Sequence, residues 1–392
     1  MNLLALAEAQ FEQTVADRRF LHQFPELSGE ERQTAAFLKA KLEELGFLVE
    51  ANLGGNGLIG HLDSGNVGKK LLMRFDMDAL PVSEENDFPH RSQHEGVMHA
   101  CGHDGHMAIG LTIARMIREL APQLHGTVHL LFQPAEEIGT GALAMVADSV
   151  LERIKPDFIL AAHLWNEKPL GWLGVKEGPL MASSSVFEIV IHGKGGHGGR
   201  PQLANDPIVA SAQLVNQLQL IVSRNLSPFE PAVLSVCSIE GGNSYNVIPS
   251  LVKLKGTVRT FDEETYRLLK DRMTQICEGV GLASGCEINL EMEALVEPTT
   301  NHPEVARAMQ RAALKLDTRV VVDQHYQTMM SEDICVFLEQ VPGCFVLVGA
   351  GSSPDGNQYG HHHPMFDFDE SAMPLTAALL LQTGLELAEL SR

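Results

Sequence analysis

The chain has 392 residues, of which 44% are hydrophobic and 20% are charged, and its formal net charge is −21. This composition is typical of a globular protein, and the length predicts more than one domain. The negative charge argues against nucleic acid as a partner, and no apolar run approaches the ~20 residues that a membrane span needs. The N-terminal segment lacks the basic region of a signal peptide, which predicts a cytoplasmic location.

The first half of the chain alternates helical and strand patterns. Helical periodicity covers residues 3–22, 29–46 and 106–120. Apolar runs of strand length lie at 57–62, 70–75, 126–132 and 157–162. This alternation predicts an α/β domain with a mostly parallel sheet.

The pattern changes near residue 183. Strands are expected at 185–192, 232–239, 251–259 and 286–293, with helices at 206–224 and 262–280. Strand, helix, two strands, helix, strand is the ferredoxin-like order. Helices at 303–316, 331–339 and 370–390 and a strand at 344–348 then resume the α/β pattern. We therefore predict an α+β domain at 183–297, inserted into an α/β domain made of 1–182 and 298–392.

Polar residues follow three of the predicted strands. Two aspartates come after Phe75, two glutamates come soon after Phe132, and a histidine comes after Ala162 (Asp76, Asp78, Glu136, Glu137 and His163). Ligands bind at the carboxyl ends of strands in open α/β sheets. Three separate strand ends therefore predict one site.

The segment His99-Ala-Cys-Gly-His-Asp-Gly-His106 places three imidazoles, a thiol and a carboxylate within eight residues. Thiolate and imidazole bind borderline-soft divalent metals, and a spare carboxylate can act as a base for water activated by the metal. The sequence thus indicates a metal-dependent hydrolase. The six cysteines lack Cys-x-x-Cys spacing, and Cys237, Cys335 and Cys344 lie in apolar runs that predict buried thiols.

Motifs along nearly the whole chain resemble the M20 metallopeptidase family. They are Arg74-Phe-Asp-Met-Asp-Ala-Leu-Pro81, the His99–His106 segment, Gln133-Pro-Ala-Glu-Glu137, Gly195-Gly-His197, Asn246-Val-Ile-Pro249, Gly256-Thr-Val-Arg-Thr260 and His362-His-Pro-Met-Phe-Asp-Phe-Asp369. Within the family they are similar to the aminoacylase, hippurate hydrolase and auxin-conjugate amidohydrolase branch. The resemblance implies a zinc-peptidase-like catalytic domain, an inserted lid or dimerisation domain, and a homodimer or a dimer of dimers.

The resemblance also implies two divalent metal ions per subunit, with the choice among Zn, Mn, Co and Ni left open. The ligands it implies are Cys101, His103, Glu137, His163 and His362. In the run of histidines at 361–363, spacing to Pro364 selects His362, although a one-residue shift stays open. Glu136 would be the general base, and Asp78 would orient a ligand imidazole.

Several roles stay open at this stage. Other branches of the family carry a metal-binding His-x-Asp where this chain has Asp76-x-Asp78, so Asp76 has no assigned role. His99 and His106 are also unassigned.

The inserted domain contributes three further residues by resemblance. His197 would stabilise the oxyanion, in cis or across a dimer, while Asn246 and Arg259 would bind the substrate. A surface ion pair with Asp262 is the alternative for Arg259. The branch usually has Pro-His after the Gly-Gly-His loop, and this chain has Pro201-Gln202 instead, which affects substrate preference.

The function implied is hydrolysis of N-acyl amino acids, such as N-acetyl or N-benzoyl derivatives, to a carboxylate and a free amino acid. The alternative is a dipeptidase or carboxypeptidase on the same scaffold. A third hypothesis, a catalytically silent binding protein, predicts a missing ligand or base, and the sequence lacks neither.

Overall fold

The computed structural model describes residues 2–353 and 355–389. The chain divides into two compact units. The first is formed by Met1–Leu180, Thr300–Gln327 and Glu332–Arg392, and the second by Met181–Thr299 and Thr328–Ser331.

The strands, in chain order, are β1 (Leu48–Leu53), β2 (Gly57–Asp63), β3 (Lys70–Asp76), β4 (Thr127–Gln133), β5 (Phe158–Pro169), β6 (Trp172–Gly174), β7 (Gly178–Met181), β8 (Ser184–His192), β9 (Gly196–His197), β10 (Val233–Gly241), β11 (Val247–Ile248), β12 (Leu251–Arg259), β13 (Glu287–Val296), β14 (Thr299–Asn301), β15 (Val321–Asp323) and β16 (Gly343–Gly351).

The helices are α1 (Leu3–Glu8), α2 (Phe11–Gln23), α3 (Arg32–Glu44), α4 (His103–Leu120), α5 (Gly141–Ala147), α6 (Val150–Ile154), α7 (Pro207–Arg224), α8 (Glu263–Ser284), α9 (Pro303–Leu316), α10 (Cys335–Leu338) and α11 (Ala372–Glu389). Among the described residues, none of these helices combines the length and hydrophobicity that a membrane span requires.

The first unit is built on an eight-stranded sheet in the order β1-β2-β4-β3-β5-β16-β6-β15. Strands β4, β3, β5 and β16 are parallel neighbours in that order. The β1–β2, β2–β4 and β16–β6 pairs are antiparallel. Every residue of β16 is buried, as expected of a parallel strand in a sheet covered on both faces. The mixed α/β class with a mostly parallel central sheet is confirmed.

Helix α4 packs against α2, α11 and β3 in the core of this unit. It begins at His103, three residues before the predicted start, because Gly102 adopts a left-handed φ of +91° directly before it. The first turn therefore carries His103 and Asp104. The predicted helix over 331–339 is limited to α10, and Glu332 and Asp333 are buried just before it. The end of the helix predicted over 370–390 reaches Leu390, which lies outside the described residues.

The second unit has a four-stranded antiparallel sheet in the order β10-β12-β8-β13. Its core joins alternate residues of β8 (Phe187, Ile189 and Ile191) to α7 and α8. The prediction of a buried Cys237 is wrong, because the register of the β10–β12 pair shifts at that residue and the thiol is exposed. Cys335 and Cys344 are buried as predicted.

Candidate metal centre

The ends of β3 and β4, the middle of β5 and the start of α4 bring metal-type donors together in the first unit. The predicted end of the fourth strand at Ala162 is wrong, because β5 continues to Pro169 and His163 pairs within the sheet with Leu347 of β16. Cys101, His103 and His163 each offer one donor atom within 4.8 Å of the others. Cys101, Glu137 and His362 form a second such group. The cysteine thus belongs to two ligand groups at once. An arrangement of that kind could hold two cations that share the sulfur.

The thiol of Cys101 is buried, and its Sγ lies 3.4 Å from Nε2 of His163. Burial, reinforced by the carboxylates of Glu137 and Glu136, raises the pKa of this thiol well above its ordinary value. Burial and neighbouring imidazoles lower the pKa of His163, so its ring is neutral. A thiolate at this position therefore requires a cation beside it.

His103 is oriented by the backbone of Asp78. Its Nδ1–H donates to the Asp78 carbonyl oxygen at 2.9 Å and lies 3.3 Å from the Asp78 carboxylate. Burial lowers the pKa of His103, but the carboxylates of Asp76, Asp78 and Glu137 outweigh it and raise this pKa to about 10. The same carboxylates would attract a metal ion.

Two buried donor atoms at this point have no hydrogen-bond partner in the described structure. They are Nε2 of His103 and Oε1 of Glu137, which lie 3.9 Å apart. Buried polar atoms are nearly always satisfied, so an unsatisfied pair marks a missing ligand. The thiolate, imidazole and carboxylate donors fit a borderline divalent ion such as Zn²⁺ or Mn²⁺.

Glu136 and Glu137 follow a tight turn after β4. Ala135 has a left-handed φ of +53°, which is uncommon for a residue with a Cβ. The backbone N–H of Glu137 donates to Oδ2 of Asp78 at 3.1 Å, and one oxygen of Glu136 lies within 4.8 Å of His103 and Glu137. Burial, together with Glu332 and Asp333, raises the pKa of Glu136 well above its ordinary value.

The three consecutive histidines at 361–363 have different partners in the structure. His362 has a left-handed φ of +67°, and its Nε2 lies 3.3 Å from Oε2 of Glu137. The Nε2 of His361 instead faces the carbonyl oxygen of Leu164 at 3.0 Å. His363 is stacked on Tyr359 with ring centres 4.5 Å apart. Of the three, only His362 belongs to a donor group found in the described part of the chain.

Asp76 and His106 form a hydrogen-bonded pair and, together with His103, a further group of donor atoms within 4.8 Å of one another. Nδ1 of His106 lies 2.6 Å from Oδ1 of Asp76, and Nε2 accepts from the Leu164 backbone N–H at 3.0 Å. That second bond requires His106 to carry its proton on Nδ1. Both ring nitrogens are therefore used, and His106 orients Asp76.

A buried arginine that sequence reasoning missed connects this pair to other acids. Arg74 donates from Nε to Gln133 at 2.8 Å, from Nη1 to Asp76 at 2.6 Å, and from Nη2 to Glu332 and Asp333 at 2.8 Å each. Glu332, Asp333 and Glu136 also lie within 4.8 Å of one another. The signal available in the sequence was the charged Arg74 inside an apolar strand.

His99 and Asp104 both lie near the buried His22. His99 is buried with neither ring nitrogen bonded, and burial lowers its pKa to about 4. Asp104 accepts from Nε of Arg18 at 2.7 Å and from Nδ1 of His22 at 2.9 Å. His99 is thus a neutral core residue outside the donor groups.

His197 and Asn246 lie together in the second unit. They line an open groove of about 740 Å³ beside the paired strands β9 and β11, where Gly198 N–H donates to the Asn246 carbonyl at 2.8 Å. Nδ1 of His197 accepts from the Gly199 N–H at 2.9 Å, which leaves the proton on Nε2. His197 is exposed, so this N–H is available to a ligand.

Arg259 is half-buried in the second unit and donates to the Ser331 hydroxyl at 2.8 Å. Its alternative partner, Asp262, instead caps α8 by accepting from the Thr265 N–H and hydroxyl. Among the described residues no ion pair joins Arg259 to Asp262, so that alternative is not supported.

Comparison with known proteins gives a consistent family. The model of peptidase family M20/M25/M40 matches residues 72–385. An N-acetyl-L-cysteine deacetylase of Bacillus subtilis is 37% identical over 96% of this chain and 88% of its own length. Thermostable carboxypeptidase 1 of Saccharolobus solfataricus is 34% identical over 92% and 91%. The solved structure of the Bacillus subtilis YXEP protein, described as a dinuclear metal-binding peptidase from the M20 family, superposes with a TM-score of 0.85 at 32% identity, covering 97% of this chain and 99% of that one.

Proposed function

This chain belongs to peptidase family M20/M25/M40 and is a hydrolase of amide bonds, and from that premise we propose that it cleaves N-acyl amino acids to a carboxylate and a free amino acid. One observation carries the proposal: Cys101 belongs to two donor groups, and Glu136 stands beside them as a further carboxylate. A silent binding protein would have no need of that extra group.

The residues that would hold two divalent cations are those of the two groups, namely Cys101, His103, Glu137, His163 and His362. When bound, such ions polarise the acyl carbonyl and make water acidic enough to attack at neutral pH. Asp78 holds His103 in the orientation that points Nε2 into the group.

Glu136 would act as the general base. It accepts the proton that water loses on attacking the acyl carbon and then delivers a proton to the leaving nitrogen. The raised pKa of Glu136, caused by burial and by Glu332 and Asp333, suits a carboxyl that must take up and release a proton near neutral pH. Arg74 keeps the other acids of this cluster in place.

We assign substrate contacts to the second unit. The Nε2–H of His197 would stabilise the oxyanion, and Asn246 lines the same groove. Arg259, with no carboxylate bound to it among the described residues, would bind the carboxylate of the amino acid. We also propose that residues 183–297 serve as a lid and as the contact of a homodimer.

An N-acyl substrate is proposed because the deacetylase named above acts on N-acetylcysteine. The carboxypeptidase named above has nearly the same identity to this chain and points to a peptide substrate instead. The two names differ in the group that precedes the scissile amide. A dipeptidase or carboxypeptidase activity is therefore the second candidate, with the same residues in the same roles.

The test is release of free amino acid from N-acetyl and N-benzoyl amino acids and from dipeptides. The protein is first chelated and then reloaded with Zn²⁺, Mn²⁺, Co²⁺ or Ni²⁺. Metal-dependent release from the acyl substrates is expected, while release from dipeptides alone would select the second candidate.

A matched pair of variants tests the base. Glu136→Gln should retain metal and lose about 10²–10⁴-fold in kcat, because it removes proton transfer alone. Glu278→Gln changes an exposed glutamate of the second unit and should leave the rate unchanged. Full activity in Glu136→Gln would refute the assignment.

A further inference from the structure

Glu31 is a buried carboxylate that is distant in sequence from the metal-donor residues. It binds the backbone next to one of them, directly before Glu136. Glu31 has a relative exposure of 0%. Its Oε1 accepts from the backbone N–H of Gly29 at 2.7 Å and of Ala135 at 2.9 Å, and its Oε2 accepts from the Asn56 amide at 3.1 Å. No cation contacts it among the described residues. Burying such a group is costly unless its hydrogen bonds offset the hydration that it loses.

The side chain of Glu31 does not cap the helix that follows it. That task falls to Glu26, which accepts from the backbone N–H of Gln33 at 3.2 Å and from the N–H and hydroxyl of Thr34 at 2.8 and 2.9 Å. Glu31 makes no side-chain hydrogen bond to the start of α3. Its carboxylate reaches across to the end of β4 instead.

Ala135, whose N–H the Glu31 carboxylate binds, has a strained backbone. Ala135, the residue directly before Glu136, has a left-handed φ of +53°, a conformation that is unfavourable for a residue with a Cβ. Its carbonyl accepts from the N–H groups of Thr140 and Gly141 at 3.3 and 3.0 Å. A conformation of this kind persists only when its surroundings hold it from several sides. The Glu31 oxygen is the partner of the Ala135 N–H.

A second hydrogen bond from the turn that contains Glu31 supports the backbone of Glu137 through Asp78. The hydroxyl of Ser28 donates to Oδ2 of Asp78 at 2.7 Å, and the same oxygen accepts from the N–H of Glu137. The turn containing Ser28 and Glu31 therefore supports the backbone on both sides of Glu136.

We propose that Glu31 is a positioning residue for the glutamate pair: its hydrogen bond to the Ala135 N–H maintains the left-handed turn that directs Glu136 and Glu137 differently. The expected effect of Glu31 on the rate of hydrolysis rests on the proposed function. Its structural part, the clamp on Ala135, stands apart from the identity of the substrate.

The variants separate the hydrogen bond from the fold. Glu31→Ala removes the acceptor and should lower kcat about 10²-fold with little change in KM, the loss expected of a displacement near 1 Å. Glu31→Gln keeps a carbonyl oxygen for both N–H groups and should stay within a few-fold of the unaltered enzyme. Glu26→Ala removes the α3 cap and controls for stability, because it should lower Tm while leaving kcat per folded molecule unchanged.

Hydrogen exchange of the peptide spanning 134–141, measured on metal-loaded protein, supplies a readout that needs no substrate. Faster exchange there in Glu31→Ala, but in neither Glu31→Gln nor Glu26→Ala, is the expected result. If no substrate is turned over by the unaltered enzyme, the proposed function fails while this exchange result still decides whether the clamp exists.

Two outcomes would overturn the proposal. One is a folded Glu31→Ala protein whose exchange at 134–141 and kcat match those of Glu26→Ala. The other is a folded Glu31→Gln protein as impaired as Glu31→Ala, which would assign the effect to the negative charge rather than to the acceptor oxygen.

Discussion

Replacing Arg74 by methionine should destabilise the first unit more than any surface change. The guanidinium is 1% exposed and makes four side-chain hydrogen bonds, three of them to the carboxylates of Asp76, Glu332 and Asp333. Removing one partner of a buried ion pair costs about 3–5 kcal/mol, and three abandoned carboxylates place this site near the upper end. The unfolding entropy is about 2.1 cal/mol/K per residue, so in a unit of roughly 270 residues each kcal/mol lowers Tm by a little under 2 °C, and we expect a fall of roughly 7–9 °C.

The assay is thermal unfolding of chelated protein, followed by circular dichroism. Arg153→Met is the matched control, because Arg153 pairs with Glu50 while both side chains are more than 40% exposed. That variant should lose less than about 1 kcal/mol. Equal losses in the two variants would refute the view that Arg74 neutralises a buried acidic cluster.

The loss in Arg74→Met should also depend on pH. Burial raises the pKa of Asp333 to about 7 although Arg74 opposes this shift, so loss of the cation raises that folded-state pKa further above its unfolded value. For such groups the folded state binds more protons, so stability is retained below the unfolded pKa of about 4 and lost as pH rises. The difference in Tm between the variant and the unaltered protein should therefore be smaller at pH 5 than at pH 8, and a constant difference would contradict this reasoning.

Two further predictions concern histidines. His22 is buried, and burial lowers its pKa, but Asp104 and Glu84 at its two ring nitrogens outweigh burial and raise it. Its contribution is thus complete below pH 6.5 and lost as pH rises through the folded pKa, so His22→Gln should cost more Tm at pH 6 than at pH 9; the reverse order would refute the assignment. His362→Ala should lower the metal-to-protein ratio measured by mass spectrometry. His363→Ala should not, because it loses only the ring stack on Tyr359 and the hydrogen bond from the Met365 N–H, neither of which involves a donor group.

The sequence alone predicted the elements and the kind of site. Apolar runs of strand length and the alternation with helices are local patterns, and the strands they predict lie within one residue of the observed β2, β3 and β4. The predicted end of β5 at residue 162 is wrong, since the strand continues to Pro169. The ligand types were also readable, because cysteine and histidine cluster at 99–106 and two glutamates follow the end of β4, where ligands collect in an open parallel sheet. The exposed Cys237 shows the limit of such patterns, since a register shift reverses which face a side chain occupies.

Only the tertiary structure decided which of these groups face each other. His106 and Asp76 had no role assigned from the sequence, and the structure shows each bound by a neighbour that only folding brings close. Arg74 meets Glu332 across 258 positions, and Glu31 meets Ala135 across 104. Contacts between residues so far apart leave no local periodicity, because helical and strand patterns report only how a segment faces the core. The sequence therefore determined the chemistry available at the site, and the packing of distant segments determined how that chemistry is held.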